Sequence, residues 1–231
     1  MNIIHKSHSS ILKHIGKNKY KLTIDNYAIH KNFWKSNVNN LDIIEKSIED
    51  TKMKVIFKSD EIITFKELLK IKKNKLGDKQ TESLFIYFKH VIDNLEKDNF
   101  SNLLINLNDL FVINPIQALP TYFYMNTKYF LPIENQNIEI SIPFMKNNYF
   151  LSPELRKLKA IPASINKKSI YYSIGVLISY SINKSFFKAL KYEYDTVNII
   201  SNLDSIFETK LYYAVIRCLY NNPTDRFLLY I

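Results

Sequence analysis

The aspartates of this sequence, whose carboxylates could serve acid–base or metal chemistry, are unevenly placed. Asp109 is the last aspartate before a long gap, because none occurs from Leu110 to Tyr194. A protein site for Mg²⁺ needs oxygen ligands, and carboxylates are the strongest of these. The five histidines form no metal-binding pattern; we expect the first three to lie in a mobile N-terminal segment and the last on a charged helix face: His5, His8, His14, His30 and His90.

Glycine and cysteine are too scarce for a glycine-rich phosphate-binding loop and for an internal disulfide. Only Gly16, Gly77 and Gly175 are present, and phosphate-cradling loops need glycine for close backbone approach. Cys218 is the single cysteine, so no internal disulfide can form. Because Cys218 lies in an apolar helical pattern, we expect a buried thiol and not a nucleophile.

The charge of the chain favours anionic partners. The formal net charge is +10, which makes nucleic acid a possible partner. No apolar run reaches the roughly 18–20 residues that a membrane span requires, and the first residues lack a signal-peptide pattern. We therefore expect an intracellular protein that is not secreted and does not bind a membrane.

The first third of the chain shows a mixed pattern of short elements. Strands are predicted at 20–24, 27–29 and 52–58, where apolar residues alternate or run together. A helix is predicted at 41–48 from its apolar spacing. The prediction for this part is a small unit of strands with one helix.

The chain becomes mostly helical from Thr64. Thr64 caps a predicted helix at 65–71, and a long amphipathic helix should run from Asp78 to about Glu96. Two apolar runs, 110–113 and 122–125, are predicted to form a β-hairpin, and an irregular stretch should follow to about Phe150. Further helices are predicted at 169–182, 184–192, 196–207 and 210–220, the first of them buried on most sides.

Three short motifs occur in the second half of the sequence. They are Ser152-Pro153-Glu154, then Tyr172-Ser173-Ile174-Gly175-Val176, then Asn222-Pro223-Thr224-Asp225-Arg226. In this order and spacing they resemble the back half of a protein kinase domain, whose A-P-E motif ends the activation segment. The resemblance extends over about Thr64 to Arg226, and it includes degenerate kinase-like proteins of giant DNA viruses, which share the Phe150-Leu151-Ser152-Pro153-Glu154-Leu155 context.

The resemblance implies an α+β, bilobal fold of the protein kinase type. A reduced β-rich N-lobe would occupy residues 1–63, and a mostly helical C-lobe with one β-hairpin would occupy residues 64–231. It also implies structural roles for Glu154 and Arg226, which the family pairs, and for Gly175. Ile170 stands where the family motif has an aspartate.

The same resemblance implies that the metal site is eroded. The metal-binding aspartate expected after the hairpin is replaced by Asn126, whose neutral amide is a poor substitute on Mg²⁺. Asp109 fits two registers. Either it occupies the slot of the metal-binding Asn, with Leu104 in that of the catalytic Asp, or it is the catalytic Asp itself, with Asn114 as the metal ligand.

Two residues of the N-lobe are candidates for contact with a nucleotide. Tyr27-Ala28-Ile29-His30-Lys31 is similar to the family's V-A-I-K, which makes Lys31 the candidate phosphate-binding lysine and Glu45 its candidate partner on a helix. A Gly-rich loop is absent from this region.

Three functions are compatible with these observations. The first is a catalytically inactive pseudokinase that acts as a binding or regulatory scaffold for a protein partner, with no cofactor. The second is a divergent Ser/Thr protein kinase that uses Asp109, with Asn126 or Glu134 at the metal, and therefore needs ATP and Mg²⁺. The third is a basic viral structural or nucleic-acid-binding protein. A viral protein of any of these kinds would act in the host cytoplasm or in the virion.

Overall fold

The computed structural model of the chain describes residues 2–146, 148–189 and 195–231. Its internal contacts divide the chain into two compact units. The first contains the chain up to Leu68, His90–Asp98 and Asn106–Tyr129, and the second contains Leu69–Lys89, Asn99–Ile105 and Phe130–Ile231. The boundary between residues 63 and 64 that the sequence suggests stays a prediction.

The first unit is built on a five-stranded antiparallel sheet. Its strand order is β1-β2-β3-β5-β4, and its strands are β1 (Asn2–Lys6), β2 (Ser10–Gly16), β3 (Lys19–Ile24), β4 (Asp42–Glu49) and β5 (Lys52–Lys58). The sequence of β3 and β5 alternates apolar with polar residues, so each strand buries one face. The buried positions, here called the inner face, hold Tyr20, Leu22 and Ile24 on β3 and Met53, Val55 and Phe57 on β5.

One helix lies between β3 and β4 in the chain. A 3₁₀ turn at Tyr27–His30 leads into α1 (Lys31–Asn39), which buries Phe33, Trp34 and Val38. Helix α1 has no side-chain cap of its own. Asp98 supplies one, because its carboxylate accepts the backbone N–H groups of Asn32 (2.9 Å) and Phe33 (3.2 Å).

A three-stranded sheet completes the first unit. Its order is β6-β8-β9, with β6 (Ile62–Thr64), β8 (Leu110–Ile113) and β9 (Thr121–Tyr124). Strand β8 is buried along its whole length because it lies between the other two. It forms the predicted hairpin with β9.

The second unit contains a four-stranded antiparallel sheet and most of the helices. The sheet order is β12-β11-β10-β7, with β7 (Phe100–Asn102), β10 (Phe130–Glu134), β11 (Asn137–Ile140) and β12 (Ala163–Asn166). The helices after it are α4 (Pro153–Lys157), α5 (Ser169–Ile182), α6 (Lys184–Ala189), α7 (Thr196–Ser201) and α8 (Lys210–Cys218). Two earlier helices, α2 (Phe65–Ile71) and α3 (Asp78–Lys97), contribute residues to both units.

Helix α5 is the core element of the second unit. All of its residues are buried, as its nearly uninterrupted apolar and small sequence predicts. Two of its serines donate to backbone carbonyls: Ser181 to that of Leu177 at 2.7 Å, and Ser179 to that of Ile199 at 3.2 Å.

The structure corrects several predictions of local structure. The helix predicted at 41–48 is absent because β4 (Asp42–Glu49) occupies this region, and residues 27–29 belong to a 3₁₀ turn and not a strand. The N-terminal segment is not mobile but forms β1 and β2 of the large sheet. The stretch before Phe150 contains β10 and β11, whose short, half-polar sequences gave no clear signal. The predicted helix 184–192 is described only as far as Ala189.

Candidate functional site

The candidate site is centred on the carboxylate of Asp109, at the beginning of β8. A tight turn precedes it, in which the Asp109 N–H donates to the carbonyl of Asn106 at 3.1 Å. The carbonyl of Asp109 accepts the N–H of Met125 at 2.9 Å, which fixes the residue to the end of β9. Asp109 is only 6% exposed, so its carboxylate requires partners within the protein.

Three side chains supply those partners. Nε2 of His5 lies 2.7 Å from Oδ1, while the amide groups of Asn106 and Asn126 donate to Oδ2 at 2.7 and 2.8 Å. Three donors therefore surround one carboxylate, which accounts for most of the hydrogen bonds that it can accept. The ring of His5 also packs against Phe111 at 4.9 Å between centroids, edge to face.

Asn126 is held in place by a second hydrogen bond. Its amide oxygen accepts the backbone N–H of Lys128 at 2.8 Å, and its amide group donates to Asp109. The side chain is 7% exposed. Both ends of the Asn126 amide are thus engaged by the protein.

The turn between β1 and β2 lies against the segment that contains Asn126. Ser7 donates a hydrogen bond to the carbonyl of Met125 at 2.9 Å, and the hydroxyl of Ser9 lies 2.5 Å from that of Thr127. Ser10 adds a bond of 3.4 Å to the same Met125 carbonyl. In protein kinases a Gly-rich loop near the N-terminus covers the phosphates of ATP, whereas here the turn carries serines that bond directly to protein groups.

The site does not fit a magnesium ion in the arrangement observed. Magnesium is held by carboxylate oxygens at about 2.0–2.1 Å with near-octahedral geometry. Both oxygens of Asp109 already accept hydrogen bonds, as does the side-chain oxygen of Asn126. Within the described residues, no group of three or more His, Cys, Asp or Glu side chains is placed to hold a metal.

Lys31 and Glu45, the residues suggested as a kinase-type lysine–glutamate pair, are both exposed. Lys31 is exposed at the first position of α1, and Glu45 is exposed on β4. The prediction that Glu45 lies on a helix is wrong, because residues 42–49 pair with β5 as an edge strand. Helix α1 itself contains no acidic residue.

Strand β3 carries no lysine on its buried face either. Lys19 and Lys21 alternate with Tyr20, Leu22 and Ile24, so their side chains point to the other face of the sheet. A protein kinase places its phosphate-binding lysine on the third strand, paired with a glutamate of the following helix. Neither member of that pair is present at these positions.

Asn126 lies next to Asp109, whereas Asn114 does not. Asn114 lies at the far end of β8 from Asp109, where its side-chain oxygen accepts from the Ser59 hydroxyl and the Asp60 N–H, both at 2.9 Å. Asn126 is the amide that contacts Asp109. Leu104 is buried in the second unit, and Glu134 is exposed on β10.

Glu154 and Arg226 form the ion pair that the resemblance implies. Their charged groups make two contacts, Nη1 to Oε1 at 2.5 Å and Nη2 to Oε2 at 3.0 Å. Arg226 is fully buried and also donates to the carbonyls of Tyr220 (2.7 Å) and Asn221 (3.0 Å). Its guanidinium lies 5.1 Å from the ring centre of Tyr172, a cation–π distance.

Gly175 and Cys218 belong to the packing of α5 against α8. A Cβ atom at Gly175 would lie 2.9 Å from Cδ2 of Leu219 and 3.3 Å from Cβ of Cys218. Cys218 is buried, and burial raises the pKa of its thiol, which keeps it protonated and unreactive. Burial also raises the pKa of Tyr172, whose hydroxyl lies 3.1 Å from that of Thr196.

Sequence reasoning missed the side chains that engage Asp109. His5 is expected from the sequence to lie in a mobile segment, and Asn106 is not singled out there. The β-branched residues Ile11 and Ile15 on either side of Leu12-Lys13-His14 were a weak strand signal that could have placed this region in a sheet. No local signal indicates that β1 reaches Asp109, because that contact joins residues 104 positions apart.

Comparison with known proteins identifies the fold. No protein-family model matches the sequence, and a search of curated proteins gives no match. Among solved structures, the chain is similar to the autoinhibited serine kinase domain of the giant muscle protein titin, with a TM-score of 0.58 and 11% sequence identity over 98% of this chain and 75% of that one. None of the described helices is long and apolar enough to cross a membrane. The chain therefore has a protein kinase-like fold.

Proposed function

We propose that this protein is a pseudokinase, a kinase-like scaffold that binds a protein partner and does not transfer phosphate. The observation that carries the proposal is the engagement of Asp109 by His5, Asn106 and Asn126. Phosphoryl transfer in a kinase depends on metal ions that bridge the phosphates and on a residue that orients the nucleophile. Here the only carboxylate of the cluster is bonded to protein groups.

The polar turn between β1 and β2 supports the same proposal. Its hydroxyl groups bond to the segment that follows β9, so the turn is attached to protein groups and not free to cover a nucleotide. A kinase also holds phosphates with a lysine on its third strand, which pairs with a glutamate of the next helix. Here the inner face of β3 is apolar and α1 contains no acidic residue. We infer that the protein needs neither ATP nor Mg²⁺.

Exposed aromatic side chains support a protein partner. Phe207, which precedes α8, is 58% exposed, and Tyr213 within α8 is 50% exposed; the ring of Phe207 lies 5.1 Å from that of Tyr212. Aromatic residues are enriched at protein–protein interfaces because they bury much area with little loss of conformational entropy. The resemblance to giant-virus proteins would place such a scaffold in the host cytoplasm or in the virion.

A divergent active kinase is the second candidate, and one observation favours it. Asp109 and Asn126 adjoin at 2.8 Å, so the cluster keeps one carboxylate and one amide, the same pair of groups that a kinase uses for its metals. In this candidate Asp109 supplies the carboxylate that Asn126 lacks, once His5 has moved away.

A combined assay distinguishes the two candidates. The protein is incubated with Mg²⁺ and γ-labelled ATP, with casein as a general acceptor, and its melting temperature is measured with and without the nucleotide. A pseudokinase gives no transfer and no Mg²⁺-dependent shift. Transfer that requires Mg²⁺, is lost in Asp109→Ala and persists in the exposed-site control Asp42→Ala would overturn the proposal.

A further inference from the structure

Residues 227–231, here called the apolar segment, lie on the surface of the second unit. They belong to no helix or strand, and their sequence is Phe-Leu-Leu-Tyr-Ile. Phe227, Leu229 and Ile231 are 53%, 42% and 74% exposed. Leu228 and Tyr230, which alternate with them, are half-buried. A period of two is that of an extended strand with one face on the protein and the other in solvent.

The inward side of the apolar segment is attached to α3. The ring centre of Tyr230 lies 5.9 Å from that of Phe85, and the Tyr230 hydroxyl donates a hydrogen bond to the carboxylate of Glu82. Burial, together with this carboxylate, raises the pKa of Tyr230 to about 12, so the hydroxyl keeps the proton that it donates. The inward residues therefore fix the segment, while its outward apolar residues stay uncovered.

The backbone of the apolar segment is bonded to α8 at its first residue. Phe227 donates its N–H to the carbonyl of Arg217 at 3.2 Å and accepts from the thiol of Cys218 at 3.4 Å, so both of its backbone groups point towards α8. Because these groups alternate sides along a strand, those of Leu228 and Tyr230 point away from α8. Among the residues that the structure describes, they bond to no protein group. Unpaired backbone groups need water or a partner.

We propose that the apolar segment pairs with the same segment of a second copy of this protein, as two antiparallel strands related by a twofold axis at Leu229. In this register the two Leu229 side chains lie opposite each other, and Phe227 of each copy lies opposite Ile231 of the other. Opposing residues of a sheet share a face, so the exposed side chains of one copy meet those of the other. Apolar surface that each copy leaves in solvent is thereby covered.

The register at Leu229 uses the backbone groups that are unpaired. In an antiparallel pair, alternate residue pairs exchange both of their backbone hydrogen bonds. Leu228 of each copy exchanges them with Tyr230 of the other, which makes four bonds in total. An axis at Leu228 or at Tyr230 would leave half of these groups unpaired, and a shift by one residue would place exposed side chains against half-buried ones.

The charges at the two ends of the segment favour the antiparallel orientation. Nζ of Lys168 lies 4.8 Å from the ring centre of Phe227, and Glu82 contacts Tyr230 at the other end. Neither Lys168 nor Glu82 forms an ion pair with a residue that the structure describes. The twofold axis brings the cationic end of one copy to the acidic end of the other, whereas parallel strands would bring like charges together. The segment is thus complementary to its own reverse, which selects a second copy as its partner.

The interface is small, so the dimer should be weak. Stable complexes bury about 800 Å² per partner from roughly 20–30 residues, whereas this pairing is centred on the apolar segment alone. We expect a Kd on the order of 100 µM. Sedimentation equilibrium from about 10 µM to about 1 mM protein should show the mass rising from that of one chain towards that of two. A mass that stays at one chain, or that grows beyond two, would overturn the proposal.

A charged substitution tests whether the apolar segment is the contact surface. Leu229→Lys removes two covered leucines and places two like charges opposite each other, so the Kd should rise about tenfold or more. The control is Val197→Lys on α7, where the side chain is 71% exposed and the Kd should stay within about twofold of that of the wild type. Equal effects of the two substitutions, whether both large or both absent, would contradict the proposal.

Disulfide crosslinking tests the register. In Leu229→Cys the two new thiols belong to a pair whose Cα atoms are about 4.5 Å apart, a distance that a disulfide spans, so mild oxidation should join two chains. In Phe227→Cys the new thiols are four residues apart along the pair, about 14 Å, and should not join. The native Cys218 is buried and gives no background. Equal crosslinking of the two variants, or none in Leu229→Cys, would overturn the proposal. The inference does not depend on whether the protein transfers phosphate.

Discussion

Nε2 of His5 lies 2.7 Å from Oδ1 of Asp109, and this contact attaches the first strand of the protein to the turn before β8. The two residues are 104 positions apart in the chain. Asp109 is among the most buried acidic residues described, and the histidine is one of the three donors that make its burial possible. Asp109, which the resemblance to kinases suggested for metal or catalytic chemistry, here has its carboxylate bonded to protein groups within the first unit.

Removal of the imidazole should therefore destabilise the protein. In His5→Ala one oxygen of a buried carboxylate loses its donor, which costs about 1.5–3 kcal/mol for a hydrogen bond to a charged group. Urea unfolding of the variant measures this cost as a shift of the midpoint. The matched control is His8→Ala on the adjacent turn, where the side chain is exposed and the midpoint should not move. Equal midpoints for the two variants would mean that the contact contributes nothing.

The Glu154–Arg226 pair should show a larger effect. Arg226→Ala removes the partner of Glu154 and leaves three backbone carbonyls without their donor, at a cost of roughly 3–5 kcal/mol. Glu154→Ala should cost a similar amount, because it leaves the fully buried guanidinium of Arg226 without a counter-charge. Urea unfolding of both single variants and the double variant gives the coupling energy.

The exposed pair of Lys54 and Glu49 provides the control for this cycle. Its N–O distance is 2.6 Å, close to the shorter distance of the buried pair, but its side chains are 37% and 61% exposed. Solvent screens such a pair, so Glu49→Ala should leave the urea midpoint unchanged. A coupling for Glu154 and Arg226 no larger than that of the exposed pair would refute the structural role of the ion pair.

Structure was predicted best from the sequence where the signal lies within a single helix, hairpin or motif. The bounds of α5 and the pairing of Glu154 with Arg226 followed from an unbroken apolar run and from two short motifs. The hairpin of β8 and β9 followed from two apolar runs separated by prolines. In each case the signal lies within a few residues, or within a motif pattern of fixed order.

The sequence was least informative in the N-terminal third. Residues 42–49 have apolar side chains at positions that suit a helix, yet they form an edge strand because β5 offers a free edge for pairing. That preference depends on tertiary context and not on local propensity. The bonds of Asp109 to His5 and Asn126 also depend on residues far apart in the chain, so Asp109 could be singled out from the sequence but its partners could not.

Acid should weaken the fold partly through His30. Burial lowers the pKa of this imidazole below its ordinary value of 6.5, although the nearby Asp98 opposes the shift. A lowered pKa means that the unfolded chain binds the proton more readily, so the contribution of His30 to stability is present above pH 6.5 and is lost as the pH falls below it. Urea midpoints measured at several pH values should decrease less steeply for His30→Gln than for the wild type. An identical pH dependence for the two proteins would contradict this account.

Gly175 should not tolerate a side chain, although its backbone conformation is helical and alanine is the better helix former. An added Cβ would lie 2.9 Å from Cδ2 and 3.0 Å from Cγ of Leu219, which is itself buried. Overpacking of this kind costs about 1–3 kcal/mol, which offsets the gain of roughly 1 kcal/mol in helix propensity. Urea unfolding of Gly175→Ala should therefore show a net loss of stability, or at best no gain.

The double variant Gly175→Ala with Leu219→Ala tests the cause of that loss. If the clash with Leu219 is responsible, the double variant is more stable than the sum of the two single changes predicts, by about 1 kcal/mol or more. Gly77→Ala is the matched control, because no atom lies within 4 Å of its added Cβ. This control should be neutral or slightly stabilising, since alanine restricts the unfolded chain. Strict additivity in the double variant would show that α5 and α8 do not meet at this glycine.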